Sequence, residues 1–326
     1  MKPAALFVIG IVLHMLGAPH AVAAPARALC IAPAKPGGGF DLTCKLVRDM
    51  LRLPVPQPVA DVEIKYLPGG IGAVAFDRAV RQQWADPGVF VAFSTGSLVN
   101  LAQGKFGPHD AQDVRWLVTL GTEYGVVAVR KDSRIASLAA LRQMLGANAA
   151  AAVFGAGGGV GSQDWVKAAL LVKAADGDHR AMRFVSFEGG GQAIAALKGG
   201  HVDVFCGDAA EAREAFMAGE IRLLAVLAPQ RLGHAFRGVP TAREQGVDVV
   251  WPTVRGLYTG PGVPEKDRAE WARTLRRIMA TPEYARLLES YALQPFAMSG
   301  PEVDAYVQQQ VQQMRALAKD LHLRVR

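Results

Sequence analysis

The residues in this sequence best placed to do chemistry are glycines rather than acids or nucleophiles. Pro36-Gly37-Gly38-Gly39-Phe40-Asp41 follows a short β-like run at residues 28–32 and precedes a helical pattern. Three bare glycines let the backbone fold closely and expose successive N–H groups. The start of the following helix adds partial positive charge, and the combination seats an anion of carboxylate or phosphate size. Gly155-Ala156-Gly157-Gly158-Gly159-Val160-Gly161-Ser162, with Asp164 just beyond, repeats the arrangement further along. Glu188-Gly189-Gly190-Gly191-Gln192 repeats it again, and Ser94-Thr95-Gly96-Ser97 follows a third apolar strand pattern. Any one of these loops alone is better explained by a tight turn. Four of them at strand ends are not, because parallel α/β sheets collect ligands beyond the carboxyl ends of their strands.

Other chemistries fit poorly. The second loop lacks the Lys-Ser/Thr ending of a P-loop, and no start within it completes GxGxxG. There is no GxSxG elbow and no HExxH, and the histidines after the leader, from His109 to His322, stand alone. No CxxC and no Cys/His cluster suggests a metal, so neither a cofactor nor a catalytic residue is expected. Asp203 and Asp208 flank a strand end, where capping is the commoner role. Arg255, in Pro252-Thr253-Val254-Arg255-Gly256, would either fork onto a ligand carboxylate or bridge two parts of the protein.

The elements that must position these groups alternate. Strand patterns at residues 28–32, 62–66 and 89–93 each precede a helix, and the first helix puts Leu42, Leu46, Val47, Met50 and Leu51 on one face. The alternation restarts at residues 125–129, 152–154, 183–187 and 201–205. Such alternation predicts mainly parallel sheets flanked by helices. The end is helical: Thr281-Pro282-Glu283 and Ser299-Gly300-Pro301-Glu302 are start signals. Val303, Val307, Val311, Met314, Leu317 and Leu321 form an apolar stripe that suits core packing. Without a linker between the halves, the chain is expected to cross more than once, near Thr122 and Trp251.

The 326 residues suffice for two domains, and a formal charge of +7 discriminates weakly between partners. No basic tract interleaved with aromatics suggests nucleic acid. Lys2, the apolar run at residues 4–16 and Ala21-Val22-Ala23 have the plan of a secretory leader cut after Ala23. Leu29 before Cys30 is too large for a lipid-attachment site, so a soluble periplasmic protein is expected. Cys30 and Cys44 would either pair there or, with Cys206, stay as buried thiols.

Taken together, the sequence resembles the substrate-binding proteins of tripartite tricarboxylate transporters, the Bug receptor family. The resemblance is carried by Pro36 to Asp41, Leu67-Pro68-Gly69-Gly70-Ile71-Gly72, Phe187-Glu188-Gly189-Gly190-Gly191 and Leu197-Lys198-Gly199-Gly200-His201-Val202-Asp203. Val239-Pro240-Thr241-Ala242-Arg243-Glu244-Gln245-Gly246 and Gly260-Pro261-Gly262-Val263-Pro264 extend it. It implies a two-lobed clamp, with residues 24–122 and 252–326 in one lobe and 123–251 in the other. It further implies a monomer that takes up a small carboxylate, such as a di- or tricarboxylate, and hands it to membrane permease subunits. Gly38, Gly39 and Asp41 would serve from the first lobe, Ser162 and Asp164 from the second. Ala34-Lys35 and Glu188 depart from many relatives, which carry proline or phenylalanine at the former and lysine at the latter, while Arg255-Gly256 resembles a branch that includes citrate receptors. The same clamp would also suit a sensor for a membrane kinase, or a periplasmic enzyme using Asp164, Glu188 or Asp208 as acid or base.

Overall fold

The computed structural model describes residues 27–54 and 61–325; the leader read at residues 1–23 lies outside them. Three strand–helix pairs open the chain: β1 (Arg27–Ala32) and α1 (Gly39–Leu51), β2 (Asp61–Tyr66) and α2 (Ala73–Arg81), β3 (Val89–Ser94) and α3 (Thr95–Ala102). A long strand, β4 (Arg115–Arg130), leads to α4 (Leu138–Ala147), β5 (Val153–Gly157), α5 (Gln163–Lys173), β6 (Arg183–Phe187), α6 (Gly190–Lys198), β7 (Val204–Asp208), α7 (Ala209–Met217) and β8 (Ile221–Val226). The chain returns through β9 (Pro252–Thr259) and ends in α8 (Glu265–Met279), α9 (Pro282–Ser290), β10 (Gln294–Ser299) and α10 (Pro301–Asp320).

The strands form one curled sheet in the order β2-β1-β3-β9-β4-β7-β5-β6, with β8 and β10 also pairing with β4. Each end is parallel: β1 with β2 and β3, β5 with β6 and β7. The centre is antiparallel, because β9 runs against both β3 and β4. β4 belongs to both halves. Its residues up to Tyr124 face β9, and from Gly125 to Ala128 they face β7. Tyr124 and Pro252 oppose each other where the chain passes between the halves.

Sequence patterning reads β4 only from Gly125 and misses both β9 and β10. Nearly the whole of β4 is buried, so it lacks the alternation that marks a half-exposed strand. At the centre of β9, a side chain on Gly256 would collide with the Phe93 ring and the Val118 carbonyl. That glycine breaks the apolar run as read in sequence, yet it lets Phe93 cross the sheet. Cys30 and Cys44 are joined in a disulfide that ties β1 to α1, while Cys206 is a buried free thiol. α10 buries Val303, Val307 and Val311 against the first half, as its stripe predicts. Just beyond the helix, however, Leu321 packs with Leu145, Trp165 and Val172 in the second half, and its carbonyl lies 3.2 Å from His179 Nε2.

Candidate functional site

Four helix starts meet in one cleft. Gly38, Gly39 and Phe40 come from α1, Ser94 and Gly96 from α3, Ser162 and Asp164 from α5, and Glu188, Gly189 and Gly190 from α6. Asp208 and Arg255 complete the expected residues among the lining. The first four N–H groups of each helix have no partner within it, so the convergence concentrates donors and partial positive charge. The loops approach closely. A methyl at Gly38 would stand 3.8 Å from Gly189 Cα, and one at Gly191 only 3.0 Å from the Gly37 carbonyl oxygen.

Five expected residues lie behind the lining. Gly37 holds φ of +87°, which glycine adopts without strain, and its N–H donates to Asp41 Oδ2 at 2.7 Å. Asp41 is buried and also accepts from the Tyr66 hydroxyl and from Lys45. It therefore fixes the shape of the first loop from behind, with Pro36 at the loop's entry. Thr95 Oγ1 accepts from Val254 N–H at 3.0 Å, clamping α3 to β9. The Gly161 carbonyl accepts from Gln103 Nε2 at 2.6 Å. Ser162, although in the lining, caps α5: its oxygen accepts from Trp165 N–H while its hydroxyl donates to the Gly157 carbonyl.

Below the loops lies a buried charge network. Lys167 Nζ is 2.7 Å from Asp164 Oδ1 and 2.7 Å from Asp208 Oδ1. Arg255 Nε donates to Glu123 Oε1 at 2.7 Å, and its Nη2 to Asp208 Oδ2 at 2.9 Å. Arg255 is thus a bridge between carboxylates of the protein. It packs beneath Gly39, where any side chain would strike its guanidinium. Asp208 also accepts from Thr253 and Gln163. Burial works against its ionisation, but Lys167 and Arg255 outweigh that and hold it below the ordinary carboxylate value. Glu123 is pushed up to about 7, chiefly by burial, despite Arg255.

Gly157, from the second glycine loop, is also in the lining, and sequence reading missed Ala34, Ile71, Asn100, Gln163 and Glu211 there. Glu211 matters most. It sits on the first turn of α7, yet its Oε1 accepts from Gly39 N–H at 2.7 Å across the cleft. Any side chain at Gly190 would collide with its carboxylate. The signal was an acid three residues after the helix-capping position of Asp208, which reads as dipole compensation until the opposite loop is placed. Gln103 and Lys105, donating to the carbonyls of Gly161 and Val160, complete the contact between halves. The enclosed space is about 40 Å³, against roughly 300–1,000 Å³ for an ordinary ligand site. A larger groove of about 560 Å³ beside the crossing strands, lined by Tyr124, Arg213, His234 and Arg286, has no α-helix start among its lining residues. Among the described residues no group of His, Cys, Asp and Glu is arranged to hold a metal.

The sequence pattern described as "Tripartite tricarboxylate transporter family receptor" matches residues 68–323. The chain belongs to that receptor family. The match takes in α2 to α10 and begins after the first glycine loop. The "UPF0065 protein in gbd 5'region" of Cupriavidus necator is 23% identical over 291 residues, covering 88% of this chain and 85% of its own. Two solved structures share the fold. MatC of Rhodopseudomonas palustris, with bound malate, superposes with a TM-score of 0.75 at 21% identity, over 90% of this chain and 99% of its own. Rpa4515 of R. palustris, with adipate, gives 0.81 at 19% identity, over 92% and 99%. Receptors of this family bind solutes on a periplasmic-binding-protein fold, and among the described residues of this member no helix is long and apolar enough to cross a membrane.

Proposed function

We propose that this chain is a periplasmic receptor that closes on a small organic acid and delivers it to the permease subunits of a tripartite transporter. The observation that carries this reading is the convergence of the α1, α3, α5 and α6 starts on one cleft. Family membership and the malate and adipate held by the two structural neighbours support it. The halves of the sheet act as lobes, residues 24–122 with 252–326 and residues 123–251, and β4 and β9 are the hinge. A cleft of about 40 Å³ is too small for such a solute, so binding requires the lobes to part and close again. Ligand contacts made from both lobes then shift the open–closed equilibrium.

The test is mass spectrometry of small molecules released on denaturing the purified protein, followed by thermal shift with each acid recovered. An acid recovered unchanged that raises the melting temperature supports the receptor, since a ligand confined to the folded state must stabilise it. Recovery of a converted product would replace the receptor reading with an enzymatic one.

A further inference from the structure

We propose that Glu211 determines specificity in this cleft, and that the selected solute carries a protonated amine beside its carboxylate, as an amino acid does. This rests on the receptor reading and narrows its solute class.

The first observation is what remains unpaired. Four carboxylates of the network, Glu123, Asp164, Asp208 and Glu211, meet two cations, Lys167 and Arg255. Both cations are spent on protein carboxylates. Lys105, at the edge of the cleft, is turned onto the Val160 carbonyl at 2.7 Å. The lining therefore offers a second or third ligand carboxylate no unpaired cation, and sets the exposed Glu188 against it. A di- or tricarboxylate would bring its further charges into a cleft whose two buried cations are already paired with Asp164, Asp208 and Glu123.

The second observation is where Glu211 sits. Its Oε1 takes the Gly39 N–H at the start of α1, the donor otherwise best placed for a ligand carboxylate. Bare glycines at positions 38 and 190 leave the slot its carboxylate fills. With one α1 amide used in this way, the carboxylate of a solute is left to the starts of α5 and α6. Glu211 becomes the acceptor at the other end.

The third observation is an orphan acceptor. Gln163 lines the same cleft and donates Nε2 to Asp208 at 3.0 Å, while its buried Oε1 has no hydrogen-bond partner. Turning the amide over would put its oxygen against the Asp208 carboxylate, so the orientation is fixed. Gln163 Oε1 lies toward Gly96 at the start of α3, so it and Glu211 are separate acceptors in one lining, and an ammonium supplies three donors to such a lining. Burial first, then Asp208 and Asp164, lift Glu211 to about 8 against the pull of Arg255, with Glu123 adding to the rise. In the free protein near pH 7 it therefore holds a proton, which an arriving ammonium displaces.

Matched pairs that differ only in the amine test this by calorimetry at pH 7: L-aspartate with succinate, L-glutamate with glutarate, L-norleucine with hexanoate. Citrate serves as the tricarboxylate probe. At least one amine-bearing member is expected to bind about 30-fold or more tightly than its partner, the scale of a buried charge pair. Binding in buffers of different ionisation enthalpy should reveal release of close to one proton. Glu211→Gln should abolish both the preference and the proton release, and Glu211→Asp should keep part of each. A melting curve confirms that each variant is folded. Equal or tighter binding of succinate, glutarate, hexanoate or citrate to the wild type would overturn the proposal while leaving the receptor intact. An amine preference retained in folded Glu211→Gln would equally remove Glu211 from its role. If no carboxylate binds, with or without an amine, both readings fall.

Discussion

On one side of the cleft, α1 presents Gly38, Gly39 and Phe40, and its first-turn acid, Asp41, is turned behind the loop to hold Gly37, Lys45 and Tyr66. On the other side, α5, β7 and α7 bring Asp164, Lys167, Asp208 and Glu211 to the same space. The first side is therefore backbone amide and bare surface, locked from behind by an acid and a disulfide. The second is a buried ionic network into which β4 and β9 send Glu123 and Arg255. The difference separates two tasks. Amides at helix starts suit any carboxylate and carry little selectivity, whereas a fixed set of buried charges discriminates between solutes by what it leaves unpaired.

The largest effect is expected on the charged side. Arg255→Met leaves Glu123 and Asp208 buried without their shared cation. Breaking a buried pair from one end costs about 3–5 kcal/mol, so the melting temperature should fall by roughly 10 °C or more. Scanning calorimetry checks this. A fall of only a degree or two would mean that the network relaxes into solvent and does not define that side.

The next effect belongs to the first side. The Cys30–Cys44 bridge closes a loop with a sequence separation of 14, for which the chain-entropy account gives about 3 kcal/mol. Cys44→Ser, followed by hydrogen exchange, should speed exchange in β1 and α1 and leave β5 to β7 nearly unchanged. Uniform acceleration throughout the sheet would show that the halves open as one unit, which removes the physical basis for comparing them.

A third change acts between the sides. Gly191→Ala puts a methyl about 3.0 Å from the Gly37 carbonyl and should prop the loops apart without disturbing either half. Overpacking of this kind costs about 1–3 kcal/mol, or roughly tenfold in affinity for the recovered acid. Gly38→Val should act in the same direction, since only its branch methyls extend beyond the 3.8 Å available to Cβ. Unchanged affinity in a folded Gly191→Ala variant would mean that this contact is not retained in the bound state.

The glycine loops were legible in the sequence, and the charged network only in part: Asp164, Glu188, Asp208 and Arg255 were expected and line the cleft, whereas Glu123, Lys167 and Glu211 were not expected. Glycine runs after apolar strands announce their own geometry, because few other sequences adopt those turns. Gly38, Gly39, Ser94, Gly96, Ser162, Gly189 and Gly190 accordingly reach the lining as expected. Asp208, Arg255 and Glu123 are ordinary residues whose meaning depends on register: Glu123 faces Thr253 across β4 and β9, and Gly125 faces Asp208 across β4 and β7. Such pairings are non-local, with no periodic signature. The disulfide was left open for the same reason, since spacing permits a bridge but only the packing of α1 on β1 brings the two sulfurs together. Glu211 shows the limit most clearly: its partner, Gly39, is 172 residues away in the chain.

The smallest expected effect is a pH dependence that isolates this last residue. Burial lifts the Glu211 carboxyl from its ordinary 4.5 to about 8, so between those values the folded protein holds a proton that the unfolded chain has released. A raised folded value means the contribution is fully present below about pH 4.5 and is lost as pH rises through 8. Glu123, raised to about 7, slopes the same way over a narrower range. Lys105, lowered to about 8 by burial, adds stability only as pH climbs above that value. Without ligand, the wild-type melting temperature should fall between pH 5 and pH 8 from these acids. Glu211→Gln should lessen the slope across the whole range and remove it above about pH 7, leaving the Glu123 part, so that the two melting curves converge at low pH and separate at high pH. Parallel curves would place the Glu211 carboxylate in water rather than against Gly39, and the charged side of the cleft would then end at Asp208.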